Sequence, residues 1–185
     1  VAQLFTVNPM PMYSSMLRGL AKSEGLTLVE QARLFALVNI ATADAQINTW
    51  DDKVFFSNWR PVTAIRNGEL DGNPDTAGEA EWQSLVNNPN YPDYTSGANN
   101  ITGAMSRTLA LFFGTDQMTF QLTSLAPLAV KKTRTYDSFS AAAQQCVNAR
   151  VYLGIHFRFA DSAARKQCEK VAEFVHDHFL LPVVN

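Results

Sequence analysis

The sequence predicts an all-α protein, a helical bundle built as one domain over residues 1–185. Three observations predict it. A capping box opens a long apolar run, further helical segments end at glycine or proline, and the composition can fill a core. Hydrophobic residues make up 46% of the chain and charged residues 17%, a globular balance with a lightly charged surface. With 185 residues the chain can bury a sizeable apolar interior.

Residues 10 to 24 read as a short helix that stops near Gly25. Thr27 then caps a long helix, with Glu30 three residues on completing the box. That helix is expected from about Leu28 to Trp59. Leu34, Phe35, Leu37, Val38, Ile40, Ile47, Phe55 and Phe56 make it apolar nearly all round, which predicts a central, buried helix. Arg60-Pro61 is expected to end or kink it. Residues 67 to 94 are rich in Asn, Pro, Gly and Asp and read as a long surface loop, with one helical turn around Glu79 to Val86. A loop of that length in a compact domain is usually functional or disordered. A helix follows from about Ser96 to Phe113, closed by Gly114. Thr115 to Asp137 reads as irregular, with a short extended piece at Met118 to Thr123. Asp137 or Ser138 starts a helix to about Tyr152, and a last helix is expected from about Asp161 to Leu180, ahead of Pro182.

Charge and composition exclude some functions. The net charge of −2 and the lack of a basic run argue against nucleic acid as a partner. No apolar stretch reaches the roughly 20 residues needed to span a bilayer. No secretory signal is visible. The chain starts at Val1 rather than Met, which leaves room for an upstream segment, and a secreted or periplasmic setting is the expectation. Cys146 and Cys168 have no companions for a zinc site. They read either as a disulfide tying two late helices or as two buried thiols.

Three groups of residues carry chemistry. In Trp50-Asp-Asp-Lys53-x6-Arg60-Pro61, helical spacing would put Trp50, Lys53 and Arg60 on one face. Two cations on an apolar helix are costly unless they are paired or bind an anion. Lysine offers a point charge, and arginine a fork that matches two oxygens of a phosphate-like group. Spacing alone leaves open that both pair with Asp44, Asp51 or Asp52. In Tyr91-Pro-Asp-Tyr94-Thr-Ser96-Gly97-Ala98, Ser96 and Gly97 stand where a loop becomes a helix, and a helix N-terminus suits an anion. Ser96 is equally readable as an ordinary N-cap. In Arg150-x3-Gly154-Ile-His156, Gly154 breaks the helix so that Arg150 and His156 can turn toward one site. A histidine among aromatics also suits a plain core position. His176 and His178 read as surface residues near a helix end.

In this order the three groups resemble the vanadium-dependent haloperoxidases and the related type 2 phosphatidic acid phosphatase superfamily, whose signature is Lys-x6-Arg-Pro, Pro-Ser-Gly-His and Ser-Arg-x5-His. The flanks ADAQINTWDDKVFFSNWRPVTAIR, YPDYTSGANNITGA and ARVYLGIHFRFAD look like the bacterial haloperoxidase-like branch. The resemblance covers about residues 28 to 182. It implies the helical bundle of the vanadium haloperoxidase and acid phosphatase type, corresponding to the C-terminal half of longer members, with upstream helices or a second copy as partners. It implies vanadate as cofactor, with phosphate able to occupy the same site. Lys53, Arg60 and Arg150 would neutralise the oxyanion, the Ser96 hydroxyl and Gly97 N–H would donate to it, and His156 would be the axial ligand of vanadium. Trp50 and Tyr91 fall where haloperoxidases place aromatics near the halide.

The implied activity is oxidation of halide by hydrogen peroxide. The superfamily also implies an acid phosphatase that attacks a phosphate ester through a phosphohistidine at His156. The chain departs from the signature at two positions: Thr95 replaces proline, and Ala98 stands where the acid-base histidine belongs. General acid-base catalysis contributes about 10² to 10⁴-fold, so a third expectation is a catalytically silent oxyanion-binding protein. Asn99 and Asn100 could lend a hydrogen bond but do not titrate near neutral pH. The sequon Asn100-Ile-Thr102 falls in a helix expected to be buried, which argues against glycosylation.

Overall fold

The computed structural model describes residues 2–6 and 8–183. After a 3-10 turn at Ala2–Phe5 come helices α1 (Pro9–Ser23), α2 (Leu28–Phe56), α3 (Pro61–Arg66) and α4 (Gly97–Phe113). Strands β1 (Phe120–Thr123) and β2 (Thr133–Tyr136) follow, then α5 (Phe139–Tyr152) and α6 (Arg158–His178). The architecture is a helical bundle carrying one small antiparallel hairpin, in which Phe120 pairs with Tyr136 and Thr123 with Thr133.

Local signals account for most boundaries. Asn8 caps α1 through Met10 N–H, and proline at the first turn pre-sets its backbone. The Thr27–Glu30 capping box is formed: the Thr27 hydroxyl accepts from Glu30 N–H, and the Glu30 carboxylate accepts from Thr27 N–H at 2.8 Å. Gly114 closes α4 in the left-handed conformation, φ 70°. Ser138 caps α5 through Ala141 N–H at 3.1 Å.

Helix α4 is the hub, packed against α2, α5 and α6. One core joins Leu34 and Val38 of α2 to Met105 and Leu109 of α4, with α1, the hairpin and α5 around them. A second joins Leu37, Ala41 and Ala45 to Ala104, Cys168, Ala172 and Val175. Gly103 sets the α4–α6 spacing, because a Cβ there would lie 2.3 Å from Cys168 Sγ.

Several expectations need correction. Helix α2 is not buried all round. Its buried stripe runs Leu34, Leu37, Val38, Ala41, Ala45, Thr49 and Lys53, while Ile47, Val54 and Phe55 are 70–79% exposed. A 29-residue helix meets α4 and α6 along one face only, so apolar residues elsewhere on it stay outside. Arg60-Pro61 does not end α2. Ser57 ends it in the left-handed conformation (φ 45°), and Pro61 starts α3 with Arg60 extended before it, as a residue preceding proline prefers. Trp50, Lys53 and Arg60 therefore do not share one helix face. The segment expected to be irregular holds the hairpin, whose strands are joined by nine residues rather than a tight turn. The helical turn expected within Glu79 to Val86 is a single hydrogen-bonded turn, Trp82 N–H donating to Glu79 O at 3.0 Å. The last helix ends at His178, two residues short of Leu180. Cys146 and Cys168 are free, buried thiols, not a disulfide. Among the described residues no helix is long and apolar enough to cross a membrane.

Candidate active site

The long loop after α3 returns to the bundle through Tyr91, Pro92 and Asp93, and the buried cations grip it there. Lys53, on the buried stripe of α2, is 1% exposed. Its Nζ donates to Pro92 O at 2.7 Å and Asp93 O at 2.9 Å. Arg60, 4% exposed at the N-cap of α3, donates from Nε to Tyr91 O at 2.6 Å and from Nη1 to Ile155 O at 2.7 Å. Arg150, in the last turn of α5, donates from Nη1 to Phe5 O at 3.0 Å. None of these three makes an ion pair with a carboxylate among the described residues. The pairing of Lys53 and Arg60 with Asp44, Asp51 or Asp52 does not occur; Asp52 instead accepts from the Thr95 hydroxyl at 2.8 Å.

Burial against Arg60 lowers Lys53 to about 8, still a cation at neutral pH, and burial lowers Arg60 as well. Two of their guanidinium nitrogens, Arg60 Nη2 and Arg150 Nε, are buried without a protein partner. Buried N–H groups of cations rarely stay unpaired, so these donors mark a place for an acceptor.

His156 is brought in by the break after α5. Gly154 takes φ 73°, and a Cβ there would meet the Trp82 ring at 2.9 Å, so glycine is required on both counts. The imidazole is buried, and its Nδ1 lies 2.5 Å from Asp93 Oδ1. This holds one tautomer and leaves Nε2 without a protein partner among the described residues. Burial, opposed by Asp93 and reinforced by Arg150 and Arg60, lowers His156 to about 4, so the ring is neutral near pH 7.

Ser96 is wholly buried at the N-cap of α4, yet its side chain makes no capping bond to the helix. The reading of Ser96 as an ordinary N-cap fails on that point. Gly97 N–H opens the same helix, and a Cβ at Gly97 would meet Gln46 and Thr49 only at 3.7 Å, so neighbouring side chains do not demand glycine there. Ala98 follows in the first turn. A cleft of about 750 Å3 opens above, lined by Tyr91, Gly97, Ala98, Arg150 and Ile155 with apolar walls beyond. Lys53, Arg60, Ser96 and His156 are buried and do not line the cleft themselves; Arg60 bonds the carbonyls of Tyr91 and Ile155, which do, so this buried floor adjoins it.

Tyr91 packs its ring over Lys53 Nζ at 5.2 Å and the Arg60 guanidinium at 4.9 Å. Trp50 meets Tyr91 edge-on at 5.1 Å but is 49% exposed and does not line the cleft. His176 lies beside Asp177 and His178 against Phe174, both on α6 and remote from this floor. Asn100 is fully buried and donates to Thr95 Oγ1 at 3.0 Å, which leaves no room for a glycan.

Two site residues escape a sequence reading. Asp93 is buried between Pro92 and Tyr94 and orients His156. Asp161, buried in the first turn of α6, accepts from Asn99 Nδ2 at 2.6 Å, and burial lifts it to about 7. Neither sits at helical or motif spacing from its partner. The one available signal for Asp93 was an acidic residue inside a loop already under suspicion.

Three cations, one carboxylate engaged by a neutral imidazole and a second carboxyl, Asp161, whose charged form burial disfavours give the floor a positive balance. Such a floor, with fixed donors in a dry setting, suits a charged tetrahedral or five-coordinate group.

The chain matches the family described as VCPO second helical-bundle domain over residues 33–183. It is 30% identical over 190 residues to the vanadium chloroperoxidase of Curvularia inaequalis, across 79% of this chain and 30% of the relative. It superposes on the first bacterial vanadium-dependent iodoperoxidase with a TM-score of 0.79 and 28% identity, over 92% of this chain and 39% of that one. A holo-type bacterial vanadium-dependent chloroperoxidase shares the fold, with a TM-score of 0.61 and 22% identity over 76% of this chain and 34% of that one. The chain spans between three and four tenths of the length of these relatives. By its sequence and fold the chain belongs to the vanadium haloperoxidase family, as the second helical-bundle domain.

Proposed function

We propose that this domain holds vanadate in the floor of the cleft and supports a haloperoxidase reaction, halide oxidised by hydrogen peroxide, at a rate limited by alanine at position 98. One observation carries the reading: cations without carboxylate partners, two of whose buried nitrogen donors, Arg60 Nη2 and Arg150 Nε, have no protein acceptor. An oxyanion would satisfy both donors and offset the buried charge. Lys53, Arg60 and Arg150 supply the positive field. Ser96 and the Gly97 N–H supply neutral donors, and His156, held by Asp93, presents Nε2. Vanadate, when bound, supplies the centre at which peroxide is activated toward halide. Phosphate shares the same donor requirements and competes for the floor. Tyr91 and Trp50 are the candidates for the halide side, Tyr91 the better placed because it lines the cleft.

The slow step follows from Ala98. A methyl group neither takes a proton from peroxide nor gives one to a leaving oxygen. The test has two parts: vanadium NMR to measure binding, and halogenation of an organic probe with halide and peroxide present. Vanadate bound with weak turnover is the expected result. Turnover without bound vanadate, or no binding at all, would sink the proposal.

The His156–Asp93 pair favours a second reading, because a neutral imidazole with one nitrogen anchored is also a nucleophile. In an acid phosphatase His156 Nε2 would form the N–P bond as the P–O bond to the leaving group breaks. Lacking a proton donor at position 98, the chain would serve only esters with good leaving groups. A phosphohistidine trapped by acid quench would support that reading; its absence with an activated ester removes it.

A further inference from the structure

The start of α4 is held by groups other than its own cap. The Ser96 side chain makes no capping bond, so the residue that usually anchors a helix start does not anchor this one. Thr95, one residue earlier, is wholly buried and tied on both sides. Its hydroxyl donates to Asp52 Oδ2 of α2 at 2.8 Å and accepts from Asn100 Nδ2 of α4 at 3.0 Å. The same Asn100 amide reaches back to Ser96 O at 3.3 Å. Asp52 precedes Lys53, whose Nζ holds the carbonyls of Pro92 and Asp93. Two consecutive residues of α2 therefore grip one stretch of loop at two points, just ahead of Ser96 and Gly97. Thr95 stands where the family signature carries proline. Proline fixes φ at about −65° and stiffens the entry to a helix without a partner. Threonine leaves that torsion freer, so another constraint is needed to hold Ser96 and Gly97 in one arrangement. A hydroxyl donating to a carboxylate is a strong constraint, because the acceptor is charged.

We propose that Asp52 is a positioning residue: through the Thr95 hydroxyl and Asn100 it takes the place of the signature proline and fixes the Ser96 hydroxyl and Gly97 N–H toward a bound oxyanion. The proposal rests on the oxyanion reading of the floor. Its sign separates it from a simple charge effect. Asp52 is a carboxylate next in sequence to a site cation, so by charge alone it would weaken the binding of an anion. As a positioning group it strengthens that binding.

Sulfate, a tetrahedral oxyanion, is the probe, and calorimetry the measurement. Asp52→Ala should bind sulfate about tenfold more weakly than wild type, the worth of one hydrogen bond to a charged group. Equal or tighter binding in Asp52→Ala is the charge effect alone and overturns the proposal. Asp52→Asn keeps an oxygen that can accept from Thr95 and sheds the charge, so it should bind at least as tightly as wild type. An asparagine variant as weak as the alanine one overturns the proposal. Thr95→Pro restores the covalent constraint, and Thr95 N–H donates to no backbone carbonyl among the described residues that proline would cost. In that background Asp52→Ala should no longer weaken sulfate binding; the same loss with proline in place overturns the proposal. Hydrogen exchange needs no anion. Asn100 N–H donates to Ser96 O at 2.9 Å, and Asp52→Ala should speed its exchange about tenfold while Leu109 N–H, deeper in α4, keeps its rate. An unchanged Asn100 rate, or equal acceleration of both amides, overturns the proposal. Wild type that binds no sulfate overturns the oxyanion reading itself, whereas a wild type that binds and variants that match it overturn the role of Asp52 alone.

Discussion

Ala98→His would place an imidazole on the cleft wall, beside Gly97 and in the same lining as Arg150. Position 98 is half-buried in the first turn of α4, so the new ring would enter open cleft rather than packed core. The helix N-terminus and the three nearby cations disfavour its protonated form, which keeps it available as a base near neutral pH. General acid-base catalysis is worth about 10² to 10⁴-fold, equivalent to about 3 to 5.5 kcal/mol off the barrier. The assay is the initial rate of halogenation of an organic probe with vanadate, halide and peroxide, next to wild type under identical conditions. Vanadium NMR on both proteins separates binding from turnover, and affinity should change less than about tenfold, because one neutral hydrogen bond is all that is added. The expected result is a rate gain of at least about 100-fold at comparable occupancy. A gain of less than about threefold with vanadate bound would refute the reasoning. The deficit would then lie outside position 98, in a group this domain does not supply.

Four further expectations follow from the geometry. Asp93→Asn removes the charge that anchors His156 Nδ1, and vanadate affinity should fall about 10 to 100-fold by vanadium NMR; an unchanged affinity would deny the pair a role in the site. Arg150→Met removes the unpartnered Nε donor and should weaken sulfate binding about tenfold or more by calorimetry, while circular dichroism shows the same helix content. Gly103→Ala should cost about 1 to 3 kcal/mol in urea unfolding, because the new methyl meets Cys168 Sγ inside the α4–α6 contact. Stability against pH carries two opposed contributions. His156 is lowered in the folded state to about 4 from 6.5, so the unfolded chain binds more protons in between. About 3 kcal/mol present above pH 6.5 is lost as pH falls toward 4. Asp161 is raised to about 7, so its contribution is full below its unfolded value and is lost as pH rises through 7. The two windows overlap between about pH 4 and 6.5 and oppose one another there, so wild-type urea midpoints should change little; Asp161→Asn should uncover a loss of stability as pH falls, and His156→Gln a loss as pH rises.

Helices were legible where the signal was local. The Thr27–Glu30 box, Gly114 and Ser138 each mark a boundary through a hydrogen bond or a φ value within four residues. Arg60 misled because Lys-x6-Arg matches two helical turns, while Ser57 adopts a left-handed conformation that its residue type does not announce. The hairpin was half legible: Phe120-Gln-Leu-Thr alternates inward and outward, but the partner strand lies past nine residues without a tight-turn signal. The apolar residues of α2 misled in the opposite direction, since composition says nothing about how much of a long helix its neighbours cover. The candidate cations Lys53, Arg60 and Arg150 could be singled out from motif spacing, whereas Asp93 meets His156 and Asp161 meets Asn99 only through the tertiary fold.

That division reflects how the pocket is built. Lys53 and Arg60 each give two hydrogen bonds to the carbonyls of Tyr91, Pro92, Asp93 and Ile155. They hold the loop that carries Asp93, and Asp93 in turn fixes His156. The same cations therefore organise the site and supply its field, and their positive charge is not offset locally because their polar partners are neutral carbonyls rather than carboxylates. On the proposed reading, entry of an anion would offset this excess charge, which would favour oxyanions over neutral ligands. Lys53, Arg60 and His156 are held by backbone carbonyls and Asp93, none of them through position 98, so on the proposed reading the grip on an anion and the group that would move a proton beside it are separable.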